Sequence, residues 1–69
     1  MNKYEIIIFW SEPDNSFIAE IPELKGCIAH GESHDGALKQ VKIVAKEWLT
    51  IAKNEKWTIP QPKGRLVFA

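Results

Sequence analysis

Apolar and polar residues alternate along the first third of the chain, and the spacing then changes to that of a helix. Apolar side chains recur at every second position in residues 4–10 and again in residues 17–21, which is the period of a β-strand. Residues 27–32 form a third, shorter stretch of this kind. In residues 34–54 the apolar positions instead return every three or four residues, as on one face of a helix. The pattern predicts three strands followed by one long helix.

The connections between these stretches are short, so neighbouring strands are expected to be antiparallel. Residues 11–16 contain Pro13 and Asn15, and residues 22–26 begin with proline and end with glycine, which are turn-forming compositions. Ser33 supplies a side-chain oxygen that can cap the helix. The expected arrangement is a three-stranded antiparallel meander with one long helix on one face.

The end of the chain predicts one more strand. Pro60 and Pro62 forbid helix and favour an extended crossing, and residues 65–68 then have the composition of a short strand. A strand–helix–strand crossover is right-handed and would place this strand parallel to a neighbour, which we expect to be the first strand. The sequence therefore predicts an α+β fold of order β-β-β-α-β in a single domain, residues 1–69.

One helix can cover only one face of such a sheet. Counting by twos places these residues on the helix side: Tyr4, Ile6, Ile8, Phe17, Ala19 and Ile21. The other surface, called the open face below, comprises Ile7, Phe9 and Ile18, the bordering Glu5 and Glu20, and Val67 if the last strand joins the sheet. Leaving such a cluster exposed forfeits several kcal/mol of burial at about 25 cal/mol per Å². That amount is large beside the few kcal/mol of stability expected of so small a domain. We expect a second polypeptide to cover this face, the alternative being hydrophobic residues scattered on an ordinary surface.

Charge distribution and cysteine content indicate the kind of partner and the cellular compartment. The formal net charge is zero, but residues 1–36 carry two lysines against seven acidic residues, and residues 37–69 carry seven basic residues against two glutamates. Such a layout favours orientation toward a charged partner over bulk binding of nucleic acid. No apolar run approaches the length of a membrane span, and no signal-like region follows the first residues. A single cysteine cannot form an internal disulfide, so we expect a cytoplasmic protein without membrane association.

The candidate chemistry in this chain is sparse. His30, Glu32 and His34 lie near Cys27, but their spacing matches no structural or catalytic zinc pattern. Neither a nucleophile with a positioned base nor a pair of inward-facing carboxylates is evident. We therefore expect no enzymatic activity, metal or cofactor. A flank of the helix carries lysines that could contact phosphates, although a solvated helix face is the simpler interpretation: Lys39, Lys42, Lys46 and Lys53.

A longer motif adds a family resemblance. Residues 17–33 have the form F-x-A-x-x-P-E-L-x-G-C-x-A-x-G-E-S, followed by Ala37-Leu38 and by Trp48-Leu49 in the helix. Together with the opening Y-E-I-I-I-F-W and the closing K-G-R-L-V-F-A, this pattern closely resembles the HicB family of antitoxins over nearly the whole chain.

The resemblance implies a partial RNase H-like fold without ribonuclease activity. It also implies a type II toxin–antitoxin function, in which the chain binds and occludes a small basic HicA-type toxin that cleaves mRNA. Homodimers or homotetramers are expected from the same resemblance. Two departures are Gly36, where a helix-favouring residue is common, and the end of the chain at Ala69 without a DNA-binding domain, so direct DNA binding is not expected. A stand-alone module that binds RNA or a small ligand is the alternative, and an active nuclease is a third possibility.

Overall fold

The computed structural model describes residues 4–61 and contains three strands followed by one helix. The elements are β1 (Ile7–Ser11), β2 (Ser16–Glu20), β3 (Ile28–Gly31) and α1 (His34–Glu55). The sheet has the order β1-β2-β3, and both strand pairs are antiparallel. The predicted α+β meander and its long helix are confirmed. The predicted last strand, and Val67 with it, lies outside the described residues.

The β1–β2 hairpin closes through a tight turn. Asn15 adopts a left-handed conformation, with φ of 50°, and its backbone N–H donates to the carbonyl of Glu12 at 3.1 Å. Asparagine tolerates this region better than most residues, as the sequence predicted. The turn fixes the register, in which Ser11 lies opposite Ser16.

The loop between β2 and β3 contributes to the core. Ile21 donates its backbone N–H to the carbonyl of Cys27 at 3.0 Å, and Cys27 donates to the carbonyl of Leu24 at 2.9 Å. Gly26 has a φ of 82°, a conformation that side chains rarely adopt. These bonds fold the loop back on itself, so that the side chains of Ile21, Leu24 and Cys27 are all buried.

The helix is capped at both ends. The Ser33 side chain accepts a hydrogen bond from the backbone N–H of Gly36 at 3.0 Å, as expected of an N-cap. At the other end Lys56 adopts a left-handed conformation, and its N–H points to the carbonyls of Ala52 and Lys53. The two caps bound a single uninterrupted helix of 22 residues.

The start of the helix lies directly on β3. A Cβ atom added to Gly31 would be 2.2 Å from the backbone nitrogen of Ala37, much closer than real Cβ atoms approach. Glycine at this strand position and alanine at this helix position therefore allow the contact between the two backbones.

Helix and sheet enclose one core, called the packed face below. Its buried members are Ala19, Ile21, Leu24, Cys27, Ala29, Ala37, Val41 and Ala45. Partly buried side chains surround them: Tyr4, Ile6, Ile8, Phe17, Leu38, Val44, Trp48 and Leu49. All six residues that the sequence assigns to the helix side belong to one of these two sets, which confirms the predicted face.

Two long-range hydrogen bonds hold the ends of the core together. The Trp48 Nε1–H donates to the carbonyl of Lys25 at 2.9 Å, and the Tyr4 hydroxyl donates to the carbonyl of Pro60 at 2.6 Å. The second bond brings the chain after the helix back to the residues that precede β1. Within residues 4–61, α1 is not long and apolar enough to cross a membrane.

Candidate binding surface on the open face

The strand register places the open-face residues in two rows across the sheet. One row runs from Ile7 through Glu20 to Ile28, which are successive cross-strand partners. The other row runs in the same way through three further residues: Phe9, Ile18 and His30. Because side chains alternate along a strand, both rows point away from α1. The structure thus brings together Ile7, Phe9 and Ile18, as predicted, and adds Ile28 and His30.

The outer strands carry the exposed apolar area. Phe9 on β1 is 43% exposed and Ile28 on β3 is 46% exposed, whereas Ile7 is half-buried. These side chains lie on the two outer strands, on either side of the central strand β2. The open face is therefore an apolar area whose two exposed apolar side chains, Phe9 and Ile28, lie on opposite outer strands.

Ile18 is not exposed, and the expectation that it forms part of an uncovered cluster is wrong in this respect. Its side chain is only 3% exposed. Ile18 lies on the central strand between Phe9 and His30, so it has cross-strand neighbours on both sides, which a residue on an outer strand lacks. Ile18 therefore belongs to the open face but exposes almost none of its own surface.

Ile28 was missed by the sequence analysis. The third predicted strand is short, and its polar residue His30 and Cys27 are the residues that suggest chemistry there. The alternation of buried Cys27 and Ala29 with exposed Ile28 and His30 was nonetheless present in the sequence, and it marks Ile28 as a member of the open face.

The two predicted acidic residues occupy different places. Glu20 is half-buried and lies within a row, between Ile7 and Ile28, so it is not at the border of the open face. Glu5 lies two residues before β1, and its backbone N–H donates to the Glu23 carboxylate at 3.4 Å. Glu5 therefore belongs to the edge near the β2–β3 loop. A carboxylate surrounded by isoleucines can bind a cation strongly when a partner excludes water from it.

Other candidate chemistry is not assembled within residues 4–61. No group of three or more His, Cys, Asp or Glu residues in this range could hold a metal ion. Cys27 and His30 lie on opposite sides of the sheet, since one is in the core and the other is exposed. Burial raises the pKa of the Cys27 thiol, which favours the neutral form over the nucleophilic thiolate. Within the described residues the open face thus remains the candidate surface, and no metal site is assembled there.

Comparison with known proteins identifies a relative. The chain is 35% identical over 60 residues to a UPF0150 protein from Synechocystis sp., and the match covers 87% of this chain and 82% of that protein. The name of this relative states no activity. No family model matches the chain. A search of solved structures also finds no match.

Proposed function

The chain belongs to the UPF0150 family, and from this premise we propose that it is the antitoxin of a type II toxin–antitoxin pair. It binds a small basic HicA-type toxin that cleaves mRNA and covers the toxin's catalytic site. The motif in residues 17–33 that resembles the HicB antitoxins motivates this assignment. The observation that carries it is the open face, where Phe9 and Ile28 expose large apolar side chains on the side of the sheet that does not pack against α1.

The proposed mechanism requires no catalysis by this chain. Occlusion needs a rigid surface of the right shape and charge, and rigidity comes from the packed face behind the strands. The partial RNase H-like fold that the resemblance implies would serve here as a scaffold only. The chain is accordingly proposed to be a binding protein without enzymatic activity or a cofactor.

The position of Glu20 favours a basic partner over a second copy of this chain on the open face. In a two-fold contact centred on these strands, the Glu20 carboxylates of the two copies would approach each other, and like charges repel in a desolvated interface. A lysine or arginine of a basic toxin would instead pair with Glu20 between Ile7 and Ile28. Homodimers or homotetramers of this chain would then form through other surfaces.

The test is co-expression with any small basic protein that is encoded next to this chain, with cell growth and co-purification as readouts. The intact chain should restore growth and co-purify with the toxin. Phe9→Asp and Ile28→Asp should each abolish protection, because they place an unpaired charge in an apolar interface. The matched control is Ile43→Asp on α1, since Ile43 is 53% exposed but lies outside the open face.

Four outcomes would contradict the proposal. The neighbouring protein could be harmless alone or stay toxic beside the intact chain, and either result removes the antitoxin assignment. Ile43→Asp could abolish protection as fully as Ile28→Asp, which would remove the open face from the mechanism. Light scattering could show that Phe9→Asp changes the mass of the free protein but leaves toxin binding intact, which would make the open face an oligomer contact.

A stand-alone RNA-binding module is the second candidate, and one observation favours it. Phe9 and His30 lie in the same row of the open face, on either side of Ile18, and both rings are exposed. Sheets that bind single-stranded RNA present two or three rings on which bases stack. Filter binding to oligoribonucleotides across salt concentrations tests this function, and the absence of salt-dependent binding would exclude it.

A further inference from the structure

A second exposed surface lies on the helix side of the sheet, around Trp10. Trp10 shares that side with Ile8, yet its indole is 42% exposed. The ring of His34, the first residue of α1, contacts the ring of Phe17 at a centroid distance of 4.3 Å, and Phe17 in turn contacts Trp10. The rings of His34, Phe17 and Trp10 thus contact one another in turn, and Trp10 lies at the end away from the helix.

The indole of Trp10 is held in a fixed orientation. Trp10 and Phe17 are cross-strand partners, and their rings meet edge to face at 5.1 Å and 70°. The Trp10 Nε1–H donates to the carboxylate of Glu12 in the hairpin turn. This arrangement places an exposed aromatic surface and an oriented carboxylate side by side.

The charged residues closest to Trp10 in the sequence are all acidic. Glu12 and Asp14 lie in the turn between β1 and β2, and residues 4–24 contain no lysine or arginine. Negative charge beside an exposed indole attracts a cation, and the cation can stack on the ring. Arginine fits this pair better than lysine, because its planar group can stack on an indole and pair with a carboxylate at once.

We propose that Trp10 and Glu12 form a second binding surface, which takes an arginine side chain from a basic partner protein. The surface lies on the side of the sheet opposite the open face, so the two surfaces can be occupied independently. The proposal does not depend on the antitoxin assignment, and it predicts recognition of arginine whatever the partner's activity.

The probe is a short synthetic peptide, acetyl-Gly-Arg-Gly-Arg-Gly-amide, titrated into the full-length, isotope-labelled chain and followed by NMR. The indole resonance of Trp10 and the backbone amides near Glu12 should shift and saturate. The same peptide with citrulline in place of arginine keeps the shape but loses the charge, and it should shift them at least tenfold less at equal concentration.

Trp57 supplies the internal control. It is 50% exposed and contacts Trp48 edge to face, much as Trp10 contacts Phe17, but its neighbours in sequence include Lys53 and Lys56. Its indole resonance should not move with the arginine peptide. Equal shifts at Trp57 and Trp10, or equal shifts with arginine and citrulline, would overturn the proposal.

Two variants separate binding from folding. Glu12→Gln changes only an exposed carboxylate and should weaken peptide binding about threefold, in line with one exposed ion pair. Trp10→Leu should remove the saturable shifts near Glu12, with circular dichroism confirming that the fold persists. Unchanged binding by Glu12→Gln would contradict the inference. Phe9→Asp should still bind the peptide with unchanged affinity. This variant therefore distinguishes a loss of arginine binding at Trp10 and Glu12 from a loss of partner binding at the open face.

Discussion

The two faces of this sheet differ in what covers them, since α1 packs against one face and no described element packs against the other. The packed face is built around small residues, with Ala19 and Ala29 buried beneath the helix. The open face has larger residues in the adjoining positions, and Phe9 and Ile28 expose nearly half of their surface. Phe9 and Ile28 therefore contribute only part of their apolar surface to folding. This difference supports the proposal that the open face serves recognition, whereas the packed face provides stability.

The small residues of the packed face have a structural reason. The backbone of α1 at Ala37 approaches β3 so closely at Gly31 that no Cβ atom fits between them. Close approach lets the alanines of helix and sheet pack directly against one another. The packed face should therefore be sensitive to any added volume, whereas the open face should tolerate substitution in the free protein.

The largest predicted effect follows from this contact. Gly31→Val would force its side chain against the backbone of Ala37, and it should destabilise the protein by about 3 kcal/mol or more, as overpacking of a rigid contact does. Urea denaturation followed by circular dichroism measures the loss, and the variant should be largely unfolded without denaturant. A stable Gly31→Val protein would show that the helix start can move away from β3.

Removal of volume from the packed face should have the next largest effect. Leu24 is fully buried in the β2–β3 loop, so Leu24→Ala should lower the free energy of unfolding by about 3 kcal/mol. The matched variant on the open face is Ile28→Ala, which should cost less than about 1 kcal/mol because the side chain is already half exposed. Comparable losses in the two variants would contradict the division between the faces.

Some features of the fold and the candidate surface were predictable from the sequence. Helical spacing gave residues 34–54, and the helix runs from His34 to Glu55. The two-residue period assigned Ile7 and Phe9 to one side and Ile8 to the other, because that period belongs to the strand itself.

Other features depend on contacts that no local pattern reveals. The first strand was predicted over residues 4–10 but spans Ile7–Ser11. Residues 4–6 have no partner in β2, since the pairing of the two strands ends at Ile7 and Glu20. The burial of Ile18 and the exposure of Trp10 likewise depend on which residues lie beside them in space. The sequence pattern predicts on which face of the sheet a side chain lies. How deeply that side chain is buried depends on the assembled sheet and helix.

A smaller effect is predicted at the helix start. Ser33→Ala removes the hydrogen bond to Gly36 and should cost about 1 kcal/mol, typical of a lost N-cap. Ser33→Asp should retain most of the stability, since a carboxylate can accept the same bond. Equal stability of the alanine and wild-type proteins in urea would show that the cap contributes nothing.

The smallest predicted effect concerns pH. Burial raises the pKa of Cys27 above its ordinary value near 9.0, so the folded protein holds this proton more tightly than the unfolded chain. The protonated thiol therefore contributes to the free energy of unfolding below pH 9. This contribution is lost as the pH rises from there, because the unfolded chain then gains stability by releasing the Cys27 proton. Urea denaturation at pH 8 and pH 10 should show a decline that is smaller in Cys27→Ala. An equal decline in the two proteins would assign the loss to other groups.

The central claim is that the open face binds the partner, and isoleucine methyl NMR tests it most directly. Ile7 and Ile28 lie on the open face, whereas Ile43 and Ile51 are exposed on α1. When the neighbouring basic protein is added to the labelled chain, the methyl resonances of Ile7 and Ile28 should shift strongly, and those of Ile43 and Ile51 should stay in place. Strong shifts confined to Ile43 and Ile51 would place the partner on the helix and contradict the account.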